Sequence, residues 1–149
     1  MSIRADVIVS VLARWDEEHI SSTRSTISDV EAFRQRFGVA LLPDMISFHL
    51  EIGGMSGEYD TELLSIWNLT EIVRLGEIVP ECSEVEADLF VFADWSIRAR
   101  FHGIYLRGPA RGEVRSYIGA PSTRLCGSFA EYIDLYLRRS RVLTYAAET

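Results

Sequence analysis

The chain has 149 residues, 48% of them hydrophobic and 25% charged, with 10 glycines and 4 prolines. This composition is typical of one folded globular domain and excludes a disordered chain, a collagen helix and a coiled coil. Its 22 acidic and 15 basic residues leave a net charge of −7, which opposes nonspecific binding to a nucleic-acid backbone. We therefore expect no nucleic-acid partner.

The cysteines and the N-terminal segment indicate where the protein works. Cys82 and Cys126 lie far apart without a CxxC motif, as is typical of free thiols in a reducing cytosol. The first apolar run follows Asp6 and already ends at Arg14, so it predicts neither a signal peptide nor a membrane-spanning helix. We expect a cytoplasmic protein without membrane contact, metal or cofactor.

The first segment, residues 3–19, has two interpretations. Its apolar residues recur at helical spacing, which predicts a helix. The β-branched run Val7-Ile8-Val9 would also suit a strand. We favour the helix because the periodicity extends over the whole segment.

Two further helices are predicted before residue 55. Ser28 and Glu31 have the spacing of a capping box that begins a helix, which Gly38 ends. Pro43 occupies a first helical position, where its missing N–H group costs nothing, and the pair Gly53-Gly54 stops that helix.

The middle of the chain alternates between polar and apolar runs. Residues 55–62 form a polar, acidic loop, and the apolar residues 63–67 predict a strand. Thr70 can cap a short helix that ends near Gly76 or Pro80.

The second half predicts a sheet. Residues 89–93 are uninterruptedly apolar, which indicates a central strand buried on both faces. Residues 101–106 and 114–118 are two further strands joined by a hairpin turn. Ser128 and Glu131 have the spacing of a second capping box, which begins a C-terminal amphipathic helix. With no internal repeat or linker, the chain is predicted to be a single α+β domain over residues 1–149, with a central, mostly antiparallel sheet flanked by N-terminal helices and a C-terminal helix.

Four motifs follow one another over residues 28–139. They are Glu31-Ala32-Phe33 through Phe37-Gly38, Leu42-Pro43-Asp44 and Gly53-Gly54; Phe92-Ala93-Asp94-Trp95 into Ile104-Tyr105-Leu106; Gly112-Glu113-Val114; and Gly127-Ser128-Phe129 into Tyr132-Ile133. Their order is that of the SMI1/KNR4 family, also called the SUKH superfamily, which the chain therefore resembles. The resemblance implies an α+β fold without a known catalytic centre. Bacterial members are often immunity proteins that block a toxin, commonly a nuclease or deaminase, and fungal relatives regulate or scaffold cell-wall assembly.

The acidic loop has a functional and a structural interpretation. Glu58, Asp60 and Glu62 could form a docking patch that steers the chain toward a basic toxin surface, with Tyr59 and Trp95 as aromatic anchors. The alternative is a solvated connection. Trp15 and Trp67 lie within apolar stripes and are predicted to be core residues.

Asp94 directly follows the predicted central strand. A carboxylate in this position most often caps a turn or pairs with an arginine, which we favour over a functional cleft beside Arg98 and Arg100. The family pattern includes this aspartate, so we also count Asp94 among the candidate partner-binding residues.

The histidines and cysteines predict no catalytic centre. His19, His49 and His102 form no metal-binding motif. His49 is predicted to be a hydrogen-bonded residue on a buried helix, and His102 a strand residue. Neither cysteine has a recognisable base nearby.

These observations favour a cytosolic immunity protein that binds a cognate toxin stoichiometrically, with no chemistry of its own. A regulatory or scaffold module of the same fold is the alternative. The third hypothesis is a small enzyme with a cleft around Asp94 and His102.

Overall fold

The chain folds around one antiparallel sheet of six strands, seen in a computed structural model that describes residues 2–144. Met1 and residues 145–149, which the single-domain prediction also covers, lie outside the described part. The described helices are α1 Ala5–Glu17, α2 Ile27–Phe37, α3 Pro43–Glu51, α4 Leu75–Ile78 and α5 Phe129–Leu137. The strands are β1 Ser22–Thr23, β2 Gly54–Met55, β3 Leu64–Ile66, β4 Val73–Arg74, β5 Leu89–Trp95, β6 Arg100–Tyr105, β7 Val114–Tyr117 and β8 Thr123–Cys126.

Strand β5 lies in the interior of the sheet and is buried on both faces, as its apolar run predicts. The strand order is β3-β5-β6-β7-β8, and β4 pairs with β5 beside β3, so β5 has partners on both sides. Every pairing in this sheet is antiparallel. Strands β1 and β2 pair separately as a two-stranded ribbon. The fold is therefore α+β, as the sequence predicts.

The two faces of the sheet are both covered. On one face, Phe92 of β5 packs edge-on against Phe129 and Tyr132 of α5, with ring centroids 5.2 and 4.7 Å apart. Helices α1 and α3 complete this core, where Trp15 packs edge-on against Phe48. The opposite face carries a smaller cluster of buried apolar residues, namely Trp67, Leu75, Leu89, Val91, Tyr105 and Tyr117. Both Trp15 and Trp67 are buried, which confirms their predicted core positions.

The helical interpretation of the first segment is confirmed. The buried positions of α1 are Val7, Val11, Arg14 and Trp15, which recur every three or four residues and so line one face. The β-branched run does not form a strand because only helical spacing brings this whole stripe onto the core.

The capping prediction for α2 is wrong by two residues. Thr26, rather than Ser28, is the N-cap: its hydroxyl accepts from the backbone N–H of Asp29, and the Asp29 carboxylate accepts from the N–H of Thr26. Both pairs have the same sequence spacing, Thr26 with Asp29 and Ser28 with Glu31, so the pattern alone does not choose between them.

The segment after β3 differs more strongly from the prediction. Asn68, not Thr70, caps a single 3₁₀ turn, Leu69–Glu71. The chain then pairs with β5 as β4 before one turn of helix, α4. A turn, a short strand and a shorter helix thus replace the helix predicted to begin at Thr70. The reason is that Val73 and Arg74 pair with the edge of β5.

Gly53 and Gly54 do more than end α3. A Cβ atom at Gly53 would lie 2.0 Å from the carbonyl oxygen of Thr23, and one at Gly54 would lie 2.4 Å from the backbone of Trp67. Gly53 also has a φ of 87°, which favours glycine. Because Gly53 and Gly54 have no side chains, β1 and the end of β3 can pack closely against the backbone of these two residues.

The start of α5 confirms Ser128 as its cap, because the Ser128 hydroxyl accepts from the N–H of Glu131. The return contact of the box differs, since the Glu131 carboxylate accepts from Gly127 instead. Asp44 of α3 adds a second carboxylate that accepts from the N–H of Ala130. The first turn of α5 is thus satisfied from two separate elements.

Candidate partner-binding surface at one end of the sheet

The structure places the predicted site residues at one end of the sheet. The loop of residues 58–63 lies against the end of β5, where the Tyr59 hydroxyl donates to Asp94 over 2.8 Å. The Trp95 indole N–H donates to the carbonyl oxygen of Glu62 over 2.9 Å. Glu58 points elsewhere, and its carboxylate accepts from the backbone N–H of Ser21.

Asp60 does not belong to an exposed acidic patch. The residue is only 4% exposed. One carboxylate oxygen accepts from the backbone N–H groups of Glu62 and Leu64, and the other accepts from the Arg14 guanidinium over 3.0 Å. Burial raises the pKa of the Asp60 carboxyl, whereas these hydrogen bonds and Arg14 act in the opposite direction. The prediction that Asp60 faces a partner is therefore wrong, because the fold uses its charge internally.

Arg14 lies at the centre of a buried charge cluster that joins α1, the loop and α5. Its guanidinium donates to Glu18 over 3.1 Å and to the carbonyl oxygen of Tyr136 over 2.6 Å. It also stacks 4.0 Å above the Tyr136 ring and lies 3.6 Å from Glu62. Burial opposes ionisation of Glu18, but hydrogen bonds from Thr61 and Arg14 outweigh it and lower the pKa of that carboxyl.

Arg139 neutralises the outer side of this cluster. Its guanidinium lies 3.5 Å from Glu62 and 3.8 Å from Glu18. The carboxylate of Glu62, which sequence reasoning assigned to a docking patch, therefore has two arginine partners within the chain. The acidic loop is a structural junction, in which Asp60 and Glu62 have arginine partners and Glu58 accepts from a backbone N–H.

Asp94 is a buried turn cap, as its position after the central strand favours. The residue is 1% exposed and accepts three hydrogen bonds, from the Tyr59 hydroxyl, the Trp67 indole N–H and the backbone N–H of Arg98. Burial, followed by the bond to Asp94, raises the pKa of Tyr59 to about 12. A carboxylate enclosed in this way does not contact a partner directly, so that part of the Asp94 prediction is corrected.

The turn that Asp94 caps has an uncommon backbone. Ser96, Ile97 and Arg98 have φ values of 55°, 55° and 65°, the left-handed region that only glycine and, less readily, asparagine and aspartate adopt routinely. Leu63, on the neighbouring loop, has a φ of 66°. Its carbonyl oxygen accepts from the N–H of Ser96 over 2.8 Å, which ties the two strained segments together.

This turn also exposes apolar surface. The Ile97 side chain is 76% exposed and that of Leu63 is 45% exposed. Trp95 and Tyr59 lie half-buried beside them, and the Arg98 guanidinium lies 5.0 Å above the ring of Trp67. We define these five residues, Tyr59, Leu63, Trp95, Ile97 and Arg98, as the sheet-end surface. Sequence reasoning found Tyr59 and Trp95 but missed Leu63 and Ile97, because nothing in the sequence indicates a left-handed turn without glycine.

His102 does not contact the carboxylate of Asp94. His102 packs against Tyr132 on the helix-covered face, and its Nδ1 lies 2.7 Å from the Tyr132 hydroxyl. Asp94 instead bonds to Trp67 on the opposite face. The predicted cleft around Asp94 and His102 is thus absent from the described structure, since the sheet separates the two side chains.

His49 differs from its prediction as well. It is fully buried against Phe48 and Phe129, yet neither ring nitrogen has a hydrogen-bond partner within residues 2–144. Burial lowers its pKa to about 4. Burial and the nearby Arg100 lower the pKa of His102 to about 3. Both buried histidines are therefore neutral at physiological pH.

Comparison with protein-family models and with curated protein sequences finds no match for this chain. The described helices are all too short or too polar to cross a bilayer. Over the same residues, no three histidine, cysteine, aspartate or glutamate side chains are grouped so that they could hold a metal ion.

Proposed function

We propose that this chain is a SUKH-type immunity protein that binds and neutralises a cognate bacterial toxin, without chemistry of its own. The order of motifs over residues 28–139 supports the family, and an α+β fold agrees with it. The observation that carries the proposal is the sheet-end surface, where a strained turn holds an apolar side chain in solvent.

Backbone strain of this kind requires compensation. Three consecutive left-handed residues cost roughly 3–6 kcal/mol relative to a relaxed turn, a large share of the ~5–15 kcal/mol that stabilises a typical domain. Such strain persists where the surroundings over-determine it and is concentrated at functional sites. The bonds from Ser96 to Leu63 and from Arg98 to Asp94 supply that constraint here.

A rigid turn with an exposed aliphatic side chain suits protein recognition. Interface energy is concentrated in a few aromatic, arginine and well-packed apolar anchors. A surface that is already ordered loses little conformational entropy when a partner binds. The sheet-end surface combines both properties, because Trp95, Ile97 and Arg98 lie on one turn fixed by Asp94.

The partner is a toxin that acts in the cytoplasm of the protected cell, commonly one with a basic surface. The net charge of −7 then accelerates association, since it attracts a basic domain over long distances. This steering comes from the whole molecule, because two of the three carboxylates of the acidic loop, Asp60 and Glu62, are already paired with Arg14 and Arg139.

The test is growth rescue. The toxin encoded beside this gene is expressed in a sensitive host, alone and together with the chain, and the complex is examined by light scattering after size-exclusion chromatography. We expect restored growth and a complex of one copy of each protein. A toxin that still kills, with no complex formed, would contradict the proposal, and capture of an endogenous envelope-synthesis protein would favour the scaffold alternative.

Variants link the rescue to the surface. Ile97→Asp places a charge at the apex of the turn and is expected to abolish rescue. Val85→Asp is the matched control, because Val85 is 71% exposed and lies outside the sheet-end surface. The control is expected to rescue as well as the unmodified chain.

A further inference from the structure

We propose that Ile97 and Arg98 together specify the partner, which presents an apolar socket for Ile97 and a carboxylate beside it for Arg98. That the partner is a toxin rests on the proposed function. The chemistry of the contact, in contrast, is inferred from the residues of the turn. It goes beyond the expectation of a uniformly basic partner, because the contact surface itself carries a cation.

The guanidinium of Arg98 is held in place by an aromatic ring but forms no ion pair with the described residues. It is exposed and lies over the Trp67 ring, whose indole N–H is fixed by Asp94 over 2.6 Å. Within residues 2–144, no carboxylate lies within ion-pair distance of it. Arg14 and Arg139, in contrast, both have carboxylate partners inside the chain.

A stacked guanidinium is prepared for one kind of ligand. Its planar fork of N–H donors matches a carboxylate in a bidentate geometry, and stacking on an aromatic ring leaves those donors free. Trp67 is only 6% exposed and packs edge-on against Phe101, so the core holds the ring that lies under Arg98. A carboxylate that approaches Arg98 therefore finds the cation already oriented.

The exposed side chain of Ile97 favours a protein over a nucleic acid as the source of the anion that binds Arg98. A phosphate group would satisfy Arg98 equally well, but a nucleic-acid backbone offers no apolar socket for a 76% exposed isoleucine. The net charge of −7 also repels a polyanion. A protein surface with one carboxylate next to an apolar depression satisfies both residues, even where the rest of that surface is basic.

The backbone fixes the spacing between these two anchors. Arg98 donates its N–H to Asp94 over 2.6 Å, and Ala99 donates to the carbonyl oxygen of Trp95 over 3.0 Å. Ser96 is tied to Leu63 on the neighbouring loop. Both ends of the turn are thus held, so the partner must match a preset geometry.

The experiment uses a phage-displayed library of random 12-residue peptides selected on the full chain. We expect enrichment of peptides with Asp or Glu next to a large apolar residue. A selected peptide, labelled with a fluorophore, should bind at least tenfold more weakly to Arg98→Gln and to Ile97→Ser. Arg111→Gln and Val85→Ser, at exposed positions outside the sheet-end surface, are the matched controls and should bind normally. Circular dichroism melting checks that each variant is folded.

Three outcomes would overturn the inference: enrichment of basic peptides, unchanged binding by both sheet-end variants, or no enrichment at all. These outcomes are distinguishable from failure of the proposed function. If acidic, apolar peptides bind through Ile97 and Arg98 but the toxin still kills, the contact chemistry is correct and the immunity function is wrong. If the toxin is neutralised equally well by Arg98→Gln and Ile97→Ser, the function is correct and the contact chemistry is wrong.

Discussion

Ile97 is poorly matched to its own backbone conformation. A left-handed φ of 55° brings the Cβ of an L-residue close to the following carbonyl, and a β-branched side chain makes that crowding worse. Because the side chain is 76% exposed, burial in the core does not compensate for the strain. The stability of the folded chain therefore does not explain this residue, whereas the partner contact proposed above would.

The first prediction follows from that mismatch. Ile97→Gly should raise the free energy of unfolding by about 0.5–1 kcal/mol, because the relief of strain exceeds the entropic cost of glycine. Under the proposed function, it should also weaken toxin neutralisation. Ile97→Val, which remains β-branched, should leave both nearly unchanged. Urea denaturation measures the first effect and growth rescue the second. A loss of stability in the glycine variant would show that the turn is not strained.

At single residues, the sequence predicts roles set by near neighbours better than roles set by distant ones. The sequence predicts Asp94 as a turn cap, and its partner Arg98 is only four residues away. It predicts Asp60 at the surface, but Asp60 is buried because Arg14, 46 residues earlier in the chain, reaches it. It predicts a hydrogen-bonded His49, but only the packing around His49 reveals that its ring nitrogens lack partners within the described residues.

Among the elements, α2 shows how local signals compete. Thr26 and Ser28 are each followed three residues later by an acidic residue, so both can begin a capping box. The structure uses Thr26, and the helix begins at Ile27. Ser28 then lies within the first turn, where its hydroxyl is not needed as a cap.

The second prediction tests this assignment. Thr26→Ala should lower the free energy of unfolding by about 1 kcal/mol, because the N–H of Asp29 loses its acceptor. Ser28→Ala should change it by less than about 0.5 kcal/mol. Thermal and urea unfolding of the two variants give the comparison, and the reverse order would restore Ser28 as the cap.

The third prediction concerns the junction between α1, the acidic loop and α5. Arg14→Met should destabilise the chain by about 3–5 kcal/mol, because it leaves the buried Asp60 without its cation. Arg4→Met is the control, since its pair with Asp6 is well exposed and such pairs contribute about 0–1 kcal/mol. Equal effects of the two variants in urea unfolding would contradict a structural role for the cluster.

For the molecule as a whole, the sequence predicts the long elements and the short apolar strand β3, but it misses the strands of two residues. Strands β5, β6 and β7 and helix α5 have enough apolar residues for their pattern to be recognised. Strands β1, β2 and β4 have two residues each, too few to show any periodicity. Strand β8 is mostly exposed and therefore lacks an apolar pattern. This strand, like the short strands, forms because its backbone pairs with the edge of a neighbouring strand, which the sequence pattern does not show.

The fourth prediction belongs to this scale because it concerns overall stability against pH. His49 has a pKa of about 4 in the folded chain and about 6.5 when unfolded. Protons therefore bind the unfolded chain first, and the stability of the folded state falls as the pH decreases from 6.5 to 4. This one residue accounts for roughly 3 kcal/mol of that fall.

His49→Leu removes the titrating group and two unpartnered ring nitrogens. The variant should be at least as stable as the unmodified chain at pH 7, and it should lose less stability between pH 6.5 and 4. His19→Gln, at an exposed position, is the control and should keep the original dependence. Urea unfolding at a series of pH values measures the difference, and parallel curves for His49→Leu and the unmodified chain would contradict the assignment.

The contact between α1 and α5 can form only late in synthesis, because the two helices lie near opposite ends of the chain. Trp15 and Arg14 bond to Tyr136, which lies 121 and 122 residues further along the chain. A ribosome adds about 5–20 residues per second, so α1 is synthesised roughly 6–24 s before Tyr136. Throughout that interval the apolar stripe of Val7, Val11 and Trp15 has no α5 to cover it. We therefore expect the nascent chain to bind chaperones that shield apolar segments at the ribosome exit.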